Sequence, residues 1–285
     1  ATTGDVTYTL SDTAANITSA AASKINNATT LTVTSGGGAN DLNLGTATTA
    51  NLTAITATGD TNIDNVKLSA AVTSSNIATI DFVDDTAADV LILNTADSSN
   101  WTTFTSDGSI AGGSSTFTFN KFNNFDVASG EDKLGIFYGG SNATGAFQEI
   151  TGTTPTSSYR LRDGVVYEDS FNSDGDQLTS AATSAATIMG NVEFIIDTAG
   201  SGNATSTGST GLDFTYILYA RSSSTQDDDA VQSAYVYAGN YTATGQTASE
   251  SFDRTALKLT ALAEIVGVTE GDLVSGSITT TDPFA

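Results

Sequence analysis

Apolar and polar residues alternate in four short phrases of this chain, and the phrases recur at a nearly constant distance. Each phrase begins with an asparagine, and these asparagines stand at positions 27, 51, 76 and 100, in steps of 24, 25 and 24 residues. A period of two is typical of a β-strand with one buried face. A constant spacing in this range indicates repeats that bury their apolar faces by stacking on their neighbours.

A second alternating phrase, led by aspartate, occupies residues 41–44, 64–68 and 89–93 in the first three repeats, and 116–119 is its counterpart in the fourth. Two strands per repeat, joined by turns, predict one coil of a parallel β-solenoid. We therefore predict an all-β fold with about four coils of about 24 residues. A β-rich, sandwich-like region should follow the coils.

The periodicity also predicts how the chain is divided. Residues 1–26 form a lead-in strand and short helix, 27–122 the solenoid repeats, 123–200 a β-rich capping region, and 201–285 a C-terminal β region. Within the last two segments we predict a helix over 176–189, a strand over 191–197, and strands over 214–219 and 234–238.

Composition removes several classes of function. The net charge is −23, from 9 basic and 32 acidic residues, so no basic patch can bind nucleic acid. The chain has no cysteine and no histidine, which excludes thiol nucleophiles, Ser-His catalysis and thiolate metal sites. No apolar run reaches the roughly 18 residues of a membrane helix, so we expect no direct membrane insertion.

The acidic residues suggest calcium, because short loop carboxylates supply the oxygen ligands that Ca²⁺ prefers. Asp60 and Asp85 each follow their repeat asparagine by 9 residues, Asp64 and Asp89 by 13, and Asp41 by 14. Stacked coils would bring equivalent carboxylates to about 4.8 Å, where they repel by ~1 kcal/mol even in water. A cation between coils would relieve this repulsion. The alternative is that these carboxylates belong to turns and point into solvent.

A further acidic stretch, 170–176, partly matches the start of an EF-hand loop. It lacks the first aspartate, and its twelfth position is Ala181 in place of glutamate, so we reject an EF-hand. Asp174 and Asp176 could serve an irregular calcium loop, and a glycine-containing turn is the simpler interpretation.

Three segments resemble parts of type I-secreted RTX proteins. Residues 37–44, Gly-Gly-Ala-Asn-Asp-Leu-Asn-Leu, resemble their Gly-Gly-x-Gly-Asn-Asp-x-Leu calcium repeat, with Ala39 in place of the third glycine and no recurrence at nine residues. Residues 124–136 are similar to the segment that closes RTX blocks, and 235–273 to the C-terminal secretion region. The opening, 8–17, resembles S-layer subunits and giant adhesins.

This resemblance implies a type I-secreted, RTX-related surface protein with an uncleaved C-terminal signal, located outside the cell in a bacterial S-layer. It adds Asp126 and Asp132 to the candidate Ca²⁺ ligands. The expected partners are further copies of the chain in a lattice, the type I secretion machinery, and a cell-surface polysaccharide contacted through an upstream region.

Three functions follow, and we expect the first. The chain is a structural, non-enzymatic S-layer protein that assembles with Ca²⁺. It is alternatively an adhesin region that binds a glycan or host receptor, with Tyr235, Tyr237 and Tyr241 as candidate contacts. A calcium-dependent polysaccharide lyase is the third, with Arg160 and Arg162 near the carboxylates of Asp163 and Glu168.

Overall fold

The structure is a computed structural model of the chain. It describes residues 8–34, 40–44, 51–57, 65–68, 79–81, 89–95, 101–125, 132–138, 141–142, 146–151, 164–170, 177–197, 212–221, 232–242, 252–268, 273, 277–279 and 284.

The lead-in and the first three repeats form strands and two short helices. In chain order these are β1 (Tyr8–Thr13), α1 (Ala14–Ser19), α2 (Ala22–Asn26), β2 (Ala28–Thr34), β3 (Leu42–Leu44), β4 (Ala54–Ala57), β5 (Asn65–Leu68), β6 (Thr79–Asp81) and β7 (Val90–Thr95). Helix α1 begins where Thr13 accepts a hydrogen bond from the backbone N–H of Asn16 at 3.3 Å.

The rest of the chain adds eleven strands, two α-helices and a short 3-10 helix (Arg254–Ala256) within the described residues. These are β8 (Thr102–Phe104), β9 (Ile110–Gly112), β10 (Asn120–Asn123), β11 (Lys133–Tyr138), β12 (Ser141–Asn142), β13 (Ala146–Thr151), β14 (Val165–Ser170), β15 (Gln177–Leu178), α3 (Thr179–Ala182), α4 (Ala185–Asp197), β16 (Leu212–Arg221), β17 (Gln232–Tyr241) and β18 (Leu257–Val268).

The described strands belong to two sheets. Sheet A has the order β1-β2-β4-β6-β10-β18-β17-β16-β14-β13, with β15 beside β16 and the β8–β9 hairpin beside β18. Sheet B has the order β12-β11-β7-β5-β3. Sheet A takes strands from all four segments of the predicted division.

The chain is not a β-solenoid followed by a sandwich, so the predicted fold class is wrong. It is mostly β, but sheet A is mixed: β1, β2, β4, β6 and β10 pair in parallel, whereas β16, β17 and β18 pair antiparallel and continue the same sheet. Sheet B has only five strands within the described residues. The C-terminal strands therefore extend the sheet of the repeats and do not build a separate sandwich.

The fourth repeat phrase is where the prediction fails. Leu31, Ile55 and Ile80 occupy equivalent positions in the parallel strands β2, β4 and β6. The next place in the sheet belongs to β10, where Phe122 pairs with Ile80. Residues 102–104 instead form β8, which pairs antiparallel with β18 and β9. Phe122 therefore occupies the place in the stack that the repeat predicts for Phe104, and residues 102–104 lie outside the parallel stack.

An inner core lies between the two sheets. Alternate residues of the parallel strands point into it, because successive side chains of a strand lie on opposite faces. Its fully buried members include Leu31, Ile55, Ile80 and Phe122 from sheet A, and Leu42, Val66, Leu91 and Leu134 from sheet B. Ile217, Val236 and Ile265 of the C-terminal strands join the same core.

An aromatic core covers the opposite face of the C-terminal strands. It contains Tyr167, Phe214, Tyr216, Tyr235 and Tyr237, all at most 1 % exposed. Helix α4 and the segment after β9 pack over these rings: Phe119 contacts Tyr235 and Tyr237 edge-on, with ring centroids 5.0 and 5.3 Å apart. Strands β16 and β17 thus contribute to both cores: Ile217 and Val236 belong to the inner core, and Tyr216 and Tyr237 belong to the aromatic core.

Residues 191–197, predicted as a strand, are instead the second half of helix α4. Ile188 and Val192 are fully buried in the aromatic core, at helical spacing i and i+4. Packing of this face against the sheet outweighs the strand preference of the run Phe-Ile-Ile. The predicted strands 214–219 and 234–238 are confirmed and lie within β16 and β17.

The packing of Phe214 on Gly239 generates a stability prediction. A Cβ at Gly239 would lie 2.1 Å from Cζ of Phe214, whose ring is fully buried. We expect Gly239→Ala to lower the free energy of unfolding by about 1–3 kcal/mol, the cost of overpacking a core. Equilibrium unfolding in urea measures the change.

The matched control is Gly190→Ala in helix α4. A Cβ there would have no described atom within 4 Å. We expect it to raise the free energy of unfolding by about 0.5–1 kcal/mol, because alanine stabilises a helix relative to glycine. A Gly239→Ala variant as stable as the wild type would contradict the described contact between β16 and β17.

Candidate functional site

Three of the nine candidate calcium ligands lie within the described residues. These are Asp41, Asp89 and Asp132. The other six fall outside the described residues: Asp60, Asp64, Asp85, Asp126, Asp174 and Asp176. The predicted stacking of aspartates can therefore be compared with the structure only for the three that precede strands of sheet B.

Asp89 and Asp132 lie side by side in sheet B, and we call them the acid pair. Each directly precedes a strand, and those strands pair in register, with Val90 opposite Lys133. The backbone N–H of Asp89 donates to Oδ1 of Asp132 at 2.9 Å, and the N–H of Lys133 donates to the carbonyl of Asp89 at 2.8 Å. Parallel pairing of β7 with β11 thus holds two carboxylates at neighbouring positions.

The acid pair is almost fully buried, with Asp89 3 % and Asp132 4 % exposed. Burial disfavours the charged form of a carboxylate, and a second carboxylate close by disfavours it further. Hydrogen-bond donors favour the charged form, as the N–H of Asp89 does for Asp132, and a bound cation or proton would also reduce the repulsion. Ca²⁺ suits this position by charge and by its preference for oxygen.

The coordination of a calcium ion requires more than this pair supplies. Two carboxylates offer at most four oxygens, whereas Ca²⁺ takes six to eight. No group of three or more acidic side chains able to hold a metal occurs in the part of the chain that the structure describes. Backbone carbonyls and water would have to complete the shell.

Asp41 is separated from the acid pair. It precedes β3, and sheet B places β5 between β3 and β7, a separation of about 10 Å for two strand spacings. Nδ2 of Asn65 donates to Oδ1 of Asp41 at 2.6 Å, and the hydroxyl of Thr18 in α1 donates to its carbonyl at 3.4 Å. Asp41 connects the edge of sheet B to the lead-in helix.

Glu264 is a buried acid that the sequence analysis did not single out. Its Oε1 accepts hydrogen bonds from the hydroxyls of Ser233 and Tyr235, both at 3.2 Å, and its Oε2 lies 3.5 Å from Nζ of Lys121. This group connects β10, β17 and β18. The sequence does mark Glu264, because it is the one acidic residue in the long apolar strand Leu257–Val268.

The tyrosines proposed as glycan contacts are buried. Tyr235 is 1 % exposed, and Tyr237 and Tyr241 are fully buried, so none presents a ring to a ligand. The hydroxyl of Tyr237 donates to the carbonyl of Ala182 in α3. These rings belong to the aromatic core.

The arginines considered for a lyase, Arg160 and Arg162, lie outside the described residues. Glu168, in β14, is described and is 1 % exposed. None of the helices in the described ranges is both long and apolar enough to cross a bilayer.

The burial of Tyr235 generates a pH prediction. Burial raises the pKa of Tyr235 from 10.0 to about 12, and the charge of Glu264 adds to the rise. The unfolded chain therefore loses this proton first, so above pH 10 the free energy of unfolding falls as pH rises toward 12. Tyr235→Phe removes this contribution.

The test is urea unfolding of wild type and Tyr235→Phe from neutral pH to pH 12. We expect the wild type to lose stability more steeply than the variant above pH 10, because only the wild type carries this titrating group. Parallel curves over that interval would contradict the assignment.

Comparisons of the chain with protein-family models, with curated proteins and with solved structures find no match. The resemblance to RTX and S-layer proteins therefore stays a prediction from the sequence.

Proposed function

We propose that this chain is a structural protein of a bacterial cell surface, of the S-layer type, which assembles with Ca²⁺ after export by a type I system. The acid pair carries the proposal, because it buries two carboxylates at neighbouring strand positions. The chain itself catalyses no reaction in this proposal. Its partners are other copies of itself.

The charge of the chain supports a role for calcium outside the cell. A net charge of −23 opposes compaction through self-repulsion, and a bound divalent cation reduces this repulsion. In a cytosol low in calcium the chain would stay expanded, which suits an exporter that moves unfolded polypeptide. Outside the cell, calcium would favour folding by binding only the native acid pair.

The burial of residues at 273–279 fits a chain that is exported first and folds afterwards. Leu273 and Ser277 are fully buried. Ile278 bridges to Leu134 of β11, and the N–H of Thr279 donates to the carbonyl of Leu134 at 2.9 Å. If this segment carries an export signal, the exporter must contact it before sheet B forms.

The two alternative functions have weaker support. An adhesin that used Tyr235, Tyr237 and Tyr241 would need them at the surface, and they are buried. A lyase would need its carboxylate accessible to substrate, and Glu168 is 1 % exposed within a strand.

The calcium proposal predicts a linked effect on stability and assembly. We expect millimolar Ca²⁺ to raise the melting temperature of the wild type by about 5 °C or more, since a ligand at 100 times its Kd adds ~2.7 kcal/mol to the native state. We expect the double variant D89N/D132N to lose this increment. Electron microscopy should find ordered arrays of wild type only with Ca²⁺.

Asp107→Asn is the matched control. Asp107 is an exposed acid whose Oδ1 accepts a hydrogen bond from the N–H of Ser109 at 3.0 Å in the turn between β8 and β9. This variant should keep the full calcium increment. Stability and assembly of wild type that are the same in Ca²⁺ and in EDTA would overturn the proposal. A further result would also overturn it: D89N/D132N is more stable than wild type in EDTA, and Ca²⁺ changes the stability of neither protein. In that case the acid pair shares a proton and binds no metal.

A further inference from the structure

A cavity of about 260 Å³ opens beside strand β18. The β8–β9 hairpin and the segment that follows it form one side, and β18 forms the other. Its polar lining consists of the hydroxyl residues Thr102, Ser114, Thr116, Thr118 and Thr260, and Phe117 adds an apolar surface. We call it the threonine pocket.

The pocket occupies a gap in the strand pairing of sheet A. On one edge of β18, residues 258 and 259 pair with β8, and residues 263 to 265 pair with β10. Thr260 and Ala261 lie between these two pairings and line the pocket. The gap exists because β18 changes its neighbour along its length. Strand β8, which lies outside the parallel stack, pairs with the start of β18, and β10 pairs further along.

A close backbone approach fixes the wall opposite β18. Gly113 has φ +82°, and a Cβ there would lie 2.7 Å from Oγ1 of Thr102 and 2.9 Å from its Cα. Only glycine tolerates both the left-handed conformation and this contact. Ser114 then holds the turn, because its hydroxyl donates to the carbonyl of Thr116 at 2.6 Å.

The pocket has a buried floor and an exposed rim. Thr102, Thr260 and Phe117 are 5 %, 6 % and 7 % exposed, whereas Thr116 and Thr118 are exposed. The hydroxyl of Thr102 donates to the carbonyl of Ser114 at 3.5 Å, so this part of the lining is held in place. Hydroxyls that line an open pocket bond to water, and a ligand that displaces this water must replace those hydrogen bonds.

The chemistry of this lining selects the class of ligand. Each hydroxyl both donates and accepts, so several together match a ligand that carries hydroxyl groups. No charged side chain lines the cavity within the described residues, so an ionic ligand would lose solvation without gaining a counter-charge. Phe117, whose ring packs edge-on against Tyr237 with centroids 5.4 Å apart, contributes the apolar part of the lining.

We propose that the threonine pocket binds a single uncharged sugar ring. Its volume lies just below the roughly 300 Å³ where pockets for drug-sized ligands begin, which suits one ring rather than a longer oligosaccharide. The pocket would retain a terminal or branching sugar of a glycan. This binding is independent of the acid pair and of calcium, and it goes beyond the structural role proposed above.

Saturation-transfer NMR with full-length protein tests the proposal, in the presence and absence of Ca²⁺. The neutral probes are methyl glucoside, methyl galactoside and N-acetylglucosamine, and the charged counterparts are glucuronate and glucosamine. We expect at least one neutral probe to bind with Kd of about 1–10 mM, in the weak range of small ligands. The charged counterparts should bind more weakly.

Thr260→Val removes the buried hydroxyl at nearly constant volume. We expect it to weaken binding of the neutral sugar about two- to tenfold, the effect of one hydrogen bond, and to leave the melting temperature unchanged or higher. Thr9→Val, the same substitution at an exposed position of β1, is the matched control and should bind like wild type.

Three results would overturn the proposal: no binding of any neutral probe up to about 50 mM, well beyond the millimolar range; equal binding by wild type and Thr260→Val; or tighter binding of a charged counterpart. Because none of these results involves the calcium increment of D89N/D132N, failure of this proposal is distinct from failure of the proposed function.

Discussion

The parallel pairing of β10 with β18 joins the two halves of this molecule. Strand β10 has β6 on one side, where Phe122 meets Ile80, and β18 on the other, where Phe122 meets Ile265. The neighbouring ion pair between Lys121 and Glu264 crosses the same junction at 3.5 Å. Because this one short strand belongs to both halves, the repeats and the C-terminal strands share a sheet and an inner core. The aromatic core on the other face depends on the same junction, since it needs β17 and β18 held in place.

The polar groups of interest lie where regular strand pairing begins or is interrupted. The acid pair stands immediately before β7 and β11, and Thr260 stands between two partners of β18. Regular pairing satisfies backbone groups and points alternate side chains into a core, which leaves little room for polar chemistry. At an end or a gap of the pairing, polar side chains can be buried without lying inside an apolar layer. This is the structural reason that a cation and a sugar are proposed at these two places.

Parts of the fold and of the candidate site could be predicted, because they depend on neighbours in the sequence. The repeat spacing correctly aligned Leu31, Ile55 and Ile80, and the pattern before each second strand drew attention to Asp89. The alternation in 214–219 and 234–238 correctly predicted strands. The strand predicted over 191–197 was wrong, because the pattern of a short apolar segment fits a strand and a buried helix equally well. The sequence analysis did not identify Glu264 and Thr260, since the residues that surround them lie far away along the chain.

The sequence by itself determined that this protein is rich in β-strands, acidic, and without cysteine or histidine chemistry. It also determined the register of the first three repeats, because side-chain alternation and a constant period are local properties. Only the tertiary structure decided that Phe122 continues the stack in place of the fourth phrase, that the C-terminal strands extend sheet A, and that Tyr235 and Tyr237 are buried. Each of these outcomes depends on which distant segment buries the most apolar surface against an open strand edge. The segments that compete for one strand edge can be more than a hundred residues apart in the sequence, as Phe122 and Ile265 are. A local pattern therefore cannot predict which of them pairs there.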